Sequence, residues 1–139
     1  MITEDYVSFE TAKLLKEKGF EGENRDWYNM EGFIEEVGVD DGIDPTAHED
    51  IFNSIIPAPT LQMAMKWLRE VHHLFIAIHP RLSFTDSYWI TADIYKVKRK
   101  SSLYHIEDVD DYYCVAICDE TSFEKACEAA IKYCLEHLI

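Results

Sequence analysis

The chain has 139 residues, of which 47% are hydrophobic and 13% aromatic, which excludes a disordered chain and predicts one domain over residues 1–139 with a core that needs neither disulfides nor metal. Its 13 Lys and Arg face 27 Asp and Glu, a formal net charge of −14, which repels phosphate backbones and argues against direct nucleic-acid binding. The longest apolar runs, such as 74–78, fall far short of the ~20 residues of a membrane helix, and the acidic start has no secretory-signal character, so the expectation is a cytoplasmic protein without membrane contact.

Ser8 precedes an amphipathic run over 9–18, and Gly19 follows it, which predicts a short helix with an N-cap and a glycine stop. The segments 27–30 and 33–37 flank Glu31-Gly32, a pattern for two strands joined by a tight turn. Residues 38–59 hold Gly38, Gly42, Pro45, Pro57 and Pro59 with little periodicity and read as a long irregular loop. Between Glu31 and Asp50 stand eight carboxylates and no Lys or Arg. Within that stretch Glu35, Glu36, Asp40, Asp41 and Asp44 form a candidate acidic interaction surface.

Thr60 caps a second helix, in which Leu61, Ala64, Met65, Leu68, Val71 and His72 recur at helical spacing. Trp67 lies beside that stripe and is expected to be mostly buried between this helix and a sheet. Strands follow over 74–79, 88–97 and 112–118, the second with Tyr88, Ile90, Ala92 and Ile94 on one face. A last helix, capped by Thr121 or Ser122, carries the apolar stripe Phe123, Ala126, Cys127, Ala130, Ile131, Cys134, Leu135 and Leu138. Ser-Phe-Glu-x-Ala occurs at both 8–12 and 122–126; nothing downstream keeps the match, so the pattern reads as two similar N-caps rather than a duplication. The predicted fold class is α+β, a two-layer sandwich. It has an antiparallel sheet of three or more strands with helices on one face, and an extra N-terminal helix plus hairpin.

Motifs for chemistry are weak. His72, His73 and His79 with Glu70 are a metal-like cluster of poor spacing, and a His at a helix C-terminus is already favoured by the dipole. Asp40, Asp41, Gly42 and Asp44 lack the Gly and Glu positions of a calcium loop. Cys114, Cys118, Cys127 and Cys134 follow neither zinc nor redox spacing and sit in apolar patterns, so all four read as core thiols. The basic run Lys96, Lys98, Arg99, Lys100 and the acidic run after it read as a solvated hairpin. Gly-rich phosphate loops and a nucleophile elbow are absent from the sequence. The order helix, three strands, helix also describes a double-stranded-RNA-binding domain. The last helix opens with Glu124, Lys125 and Glu128 where such a domain needs basic residues. No cofactor and no metal are therefore expected.

Three segments, SFETAKLLKEKGF at 8–20, APTLQMAMKWLREVH at 58–72 and EAAIKYCLE at 128–136, resemble a family of short uncharacterised proteins encoded in bacterial genomes and by phages or prophages. The resemblance covers about a third of the chain. It implies a mobile-element context and an intracellular setting, and supplies no activity, cofactor or catalytic residue.

The function expected from these readings is that of a non-enzymatic accessory protein that binds an as yet unidentified protein partner. One alternative is an acidic mimic of nucleic acid that inhibits a DNA- or RNA-binding protein, since −14 on a small surface can imitate a phosphate array. The other is an enzyme of unrecognised type, which requires a pocket with convergent, perturbed groups.

Overall fold

A computed structural model describes residues 5–21, 26–29, 31–36, 56–85, 87–97 and 112–139, with the backbone alone for 35–36 and 112–118. Helix α1 (Phe9–Glu17) begins at Ser8, whose extended backbone leaves its hydroxyl free to accept from the Thr11 N–H. It ends in a Schellman turn: Gly19 at φ +88° donates to Lys16, and Phe20 donates to Leu15. That turn swings Phe20 into the core beside Leu15.

Strands β1 (Asp26–Tyr28) and β2 (Ile34–Glu36) form the predicted hairpin. Asn29 organises its turn by accepting from the Glu31 and Phe33 N–H groups, and Gly32 supplies φ +84° with the Phe9 ring 3.4 Å from where a Cβ would lie. Strand β3 (Ile56–Pro57) pairs on the other side of β1, giving an antiparallel sheet in the order β2-β1-β3. The predicted loop over 38–59 is thus corrected at its end: 56–57 are a strand, and 38–55 lie outside the described residues.

Helix α2 (Leu61–His72) is capped by the Thr60 hydroxyl and closed by His73 in the left-handed region. The chain then builds the main sheet from β4 (Leu74–Leu82), β5 (Tyr88–Val97) and β6 (Tyr112–Glu120), antiparallel in the order β4-β5-β6 with a bulge after Ile94. Helix α3 (Phe123–His137) starts at Ser122, which caps it by accepting from the Lys125 N–H. Both Ser-Phe-Glu-x-Ala copies therefore serve as caps. Helices α2 and α3 cover one face of the main sheet, and α1 packs on α3 and β3.

The core lies between these layers. Ala126, Cys127, Ala130, Ile131, Cys134 and Leu135 of α3 are fully buried with Leu68, Leu74, Ala92, Ile94 and Leu15, a burial worth on the order of 10 kcal/mol for the α3 stripe. Two expectations for α2 are corrected. Val71 is exposed, and Trp67 is half-buried rather than mostly buried, packing edge-on against Phe20 (5.6 Å) and His72 (4.6 Å) at the edge of the core. The reason is angular: Leu61, Ala64 and Leu68 own the inward stripe, and Trp67 stands about 100° around the helix from Leu68, where it meets Phe20.

Candidate functional site

The main sheet outruns the helices that cover it. The 12 residues of α2 rise about 18 Å, whereas the 9 residues of β4, which start from the same corner at His73, extend about 30 Å. The helix-facing row of β4 records the mismatch: Leu74 is 1% exposed, Ile76 and Ile78 are half-buried, Pro80 is exposed and Leu82 is 83% exposed. Its partner row on β5 follows suit, from buried Ile94 and Ala92 through half-buried Ile90 to Tyr88 at 67%.

Leu82 and Tyr88 are direct cross-strand partners, and the loop between them is closed by the Ser83 N–H donating to Ser87 (2.8 Å). Phe84 in that loop is fully exposed. Strand β6 ends at Glu120, opposite Ile90, so α3 begins at the same end of the sheet, where Phe123 is 44% exposed. Leu82, Phe84 and Tyr88 thus stand exposed at one tip, with Phe123 at the same end of the sheet. The strand was expected to stop at His79; it continues through Pro80 because β4 is an edge strand, where a proline is tolerated.

Beside the tip, an open cleft of about 670 Å³ runs between residues 5–8 and the first turns of α3. Asp5, Glu120, Glu124 and Glu128 line it, against Lys125 and Lys132. Glu128 is committed to structure: it accepts from the Ser8 N–H (3.2 Å) and from the hydroxyls of Ser8 and Thr11, completing the N-terminus of α1 from α3. Tyr28, whose hydroxyl donates to the Val7 carbonyl, is pushed above its ordinary pKa by burial and then by the Glu128 charge. Lys132 is held between Glu10 (3.8 Å) and Glu136 (3.9 Å). Four carboxylates against two lysines leave the cleft lining net negative.

The other face of the main sheet carries polar pairs. His79 Nε2 lies 2.8 Å from Asp93 Oδ2 and its Nδ1 lies 3.3 Å from the Pro80 carbonyl, while the Thr91 hydroxyl donates to Asp119 (2.7 Å). The Asp93 hydrogen bond and then the Pro80 carbonyl raise the His79 pKa, because imidazolium donates to both acceptors. The Trp89 indole N–H on this face is buried without a hydrogen-bond partner among the described residues.

His72 does not join His79. Its Nε2 is buried and without a hydrogen-bond partner among the described residues, and burial, followed by His73 and Lys96, lowers its pKa. Among the described residues no group of three His, Cys, Asp or Glu converges as a metal site. Cys127 and Cys134 are fully buried, and burial pushes the Cys127 thiol up to about 11, which keeps it protonated and unreactive. The side chains of Cys114 and Cys118 lie outside the described residues.

Of the predicted acidic surface, Glu35 and Glu36 are placed by backbone alone, opposite Trp27 and Asp26 in the small sheet. Asp40, Asp41 and Asp44 lie outside the described residues. Sequence reasoning missed the tip and the Glu128 clasp. The tip had a signal, Leu82 and Phe84 just beyond Pro80 with Tyr88 to follow; the clasp had none, since it joins residues 117 to 120 positions apart.

No described helix is long and apolar enough to cross a membrane. Compared with protein-family models, curated proteins and solved structures, the chain has no match.

Proposed function

We propose that the chain is a non-enzymatic accessory protein that acts by binding another protein, with the apolar tip as its docking surface. The observation that supports this reading is the tip itself, where Leu82, Phe84 and Tyr88 stand in water. Each such side chain forgoes roughly 1.5–3 kcal/mol relative to burial, and clustered exposed apolar residues mark interaction sites. A cytoplasmic setting and a mobile-element origin belong to the same reading, through the resemblance of 8–20, 58–72 and 128–136 to short phage and bacterial proteins.

The test is photo-crosslinking in the native host, with a photoreactive amino acid replacing Phe84 or, as a control near the other end of the sheet, exposed Arg69 of α2. The expected result is a discrete protein adduct from position 84 and none from 69. Identical adduct patterns at the two positions, or none at either, overturn the reading.

A further inference from the structure

We infer that the segment docking on the tip is a cationic polypeptide with apolar anchors, rather than a second copy of this chain, a lipid surface or a nucleic acid; the inference rests on the protein-binding reading above. An apolar tip by itself does not choose among occupants. Charge does. The chain carries −14, so a second copy arrives with the same sign, as do nucleic-acid phosphates and the anionic lipids of a cytoplasmic leaflet.

Because salt screens beyond about 8–10 Å, the charges at the rim matter most. Glu120 stands opposite Ile90 at the end of β6, two residues along the row from Tyr88, and Glu124 follows Phe123 directly and is exposed. The cleft continues this rim with Asp5. Of the nearby cations, Arg81 pairs with Trp89 on the opposite face and Lys132 lies between two glutamates, while Lys125 stays at the rim, its Nζ 3.4 Å from the Thr121 hydroxyl, and offsets one of the carboxylates there. A Lys or Arg next to an apolar anchor therefore meets carboxylates when the anchor reaches Leu82, Phe84 and Tyr88, and like-charged competitors are rejected at the same place.

The probes are a labelled amphipathic helical peptide of Leu and Lys, its Leu and Glu counterpart, and vesicles of anionic and of zwitterionic lipid, each titrated at about 0.15 M salt. The Leu/Lys peptide is expected to bind. Its affinity should fall at least about tenfold in Leu82→Ser/Phe84→Ser/Tyr88→Ser and at least about threefold in Glu120→Gln/Glu124→Gln, with the Leu/Glu peptide and both vesicles binding at least about tenfold more weakly. The single variant Phe84→Ser, in a fully exposed loop position, repeats the test should the triple variant fail to fold, and circular dichroism checks each fold. Leu/Lys affinity unchanged by the tip substitutions, equal binding of the Leu/Glu peptide, tip-dependent vesicle binding, or a dimer in sedimentation that the tip substitutions dissolve each overturn the inference. A discrete adduct at position 84 with an acidic protein removes the cationic partner and leaves the docking reading standing; no adduct at all removes both.

Discussion

The helix-facing row of the main sheet has two ends that the same alternation of side chains produces and that the fold treats in opposite ways. At the corner where α2 turns into β4, Leu74 and Ile94 are sealed under α2 and α3. At the far end Leu82 and Tyr88, in register on the same row, stand uncovered. Nothing in residue type separates the two ends. The difference is length, since a helix advances about 1.5 Å per residue and a strand about 3.3 Å, so helices of ordinary length cannot cover nine-residue strands. Burial here is decided by layer geometry, and the uncovered remainder of the row is the surface proposed to bind.

Substitution at the covered end breaks the comparison most forcefully. Ile131→Ala or Leu68→Ala, each at a fully buried side chain, should cost about 2–5 kcal/mol in urea denaturation through the cavity it leaves. A cost near that of a surface change would show that the layers are not packed as described. Next in size is the clasp. Glu128→Ala strips acceptors from Ser8 and Thr11 and should cost about 1–3 kcal/mol, with amides of α1 losing hydrogen-exchange protection first.

The two histidines sharpen the contrast through pH. His72, half-buried at the covered end, has a lowered pKa, so the unfolded chain binds the extra proton. The stability tied to neutral His72 is present above about pH 6.5 and drains away as pH falls toward its folded pKa. His79, exposed nearer the tip, has a raised pKa; its contribution is present below about pH 6.5 and is lost as pH rises through the folded value. Denaturation curves across this range should show His72→Phe flattening the acid side, and His79→Gln losing stability below about pH 6.5 with no loss above the folded pKa of His79.

The smallest effects belong to the tip. Leu82→Ser and Phe84→Ser should change folding stability by no more than about 0.5 kcal/mol while weakening partner binding. Neutralising Glu35, Glu36, Asp40, Asp41 and Asp44 together should leave that binding within about threefold, or ~0.7 kcal/mol, because the docking surface is apolar and its rim lies elsewhere. A loss beyond about tenfold, steep in added salt, would favour nucleic-acid mimicry instead.

Local signals carried much of this fold. Ser8, Thr60 and Ser122 announce the three helices because a cap is read within three residues, and Gly19 and Gly32 mark turns at positive φ. The alternation in 88–97 fixes β5 at the bounds observed. What stayed hidden depends on how elements meet. Trp67 looked like a core residue, yet it is only half-buried, and the partner that the turn at Gly19 brings to it, Phe20, is 47 positions away in sequence. Pro80 looked like a strand end until the sheet order made β4 an edge. The candidate surface read from sequence was the acidic stretch near Glu35, whereas the exposed tip emerges only when helix and strand lengths are compared.

Glu128 also has a consequence for the order in which the molecule forms. The N-terminus of α1 is finished by a carboxylate 117 to 120 residues downstream, so its final stabilisation waits on closure of nearly the longest loop the chain can make. A nine-residue helix is marginal in isolation. Although α1 is the first helix in the chain, it should be the last to consolidate during refolding, and mutations in it should accelerate unfolding while leaving the folding rate almost untouched.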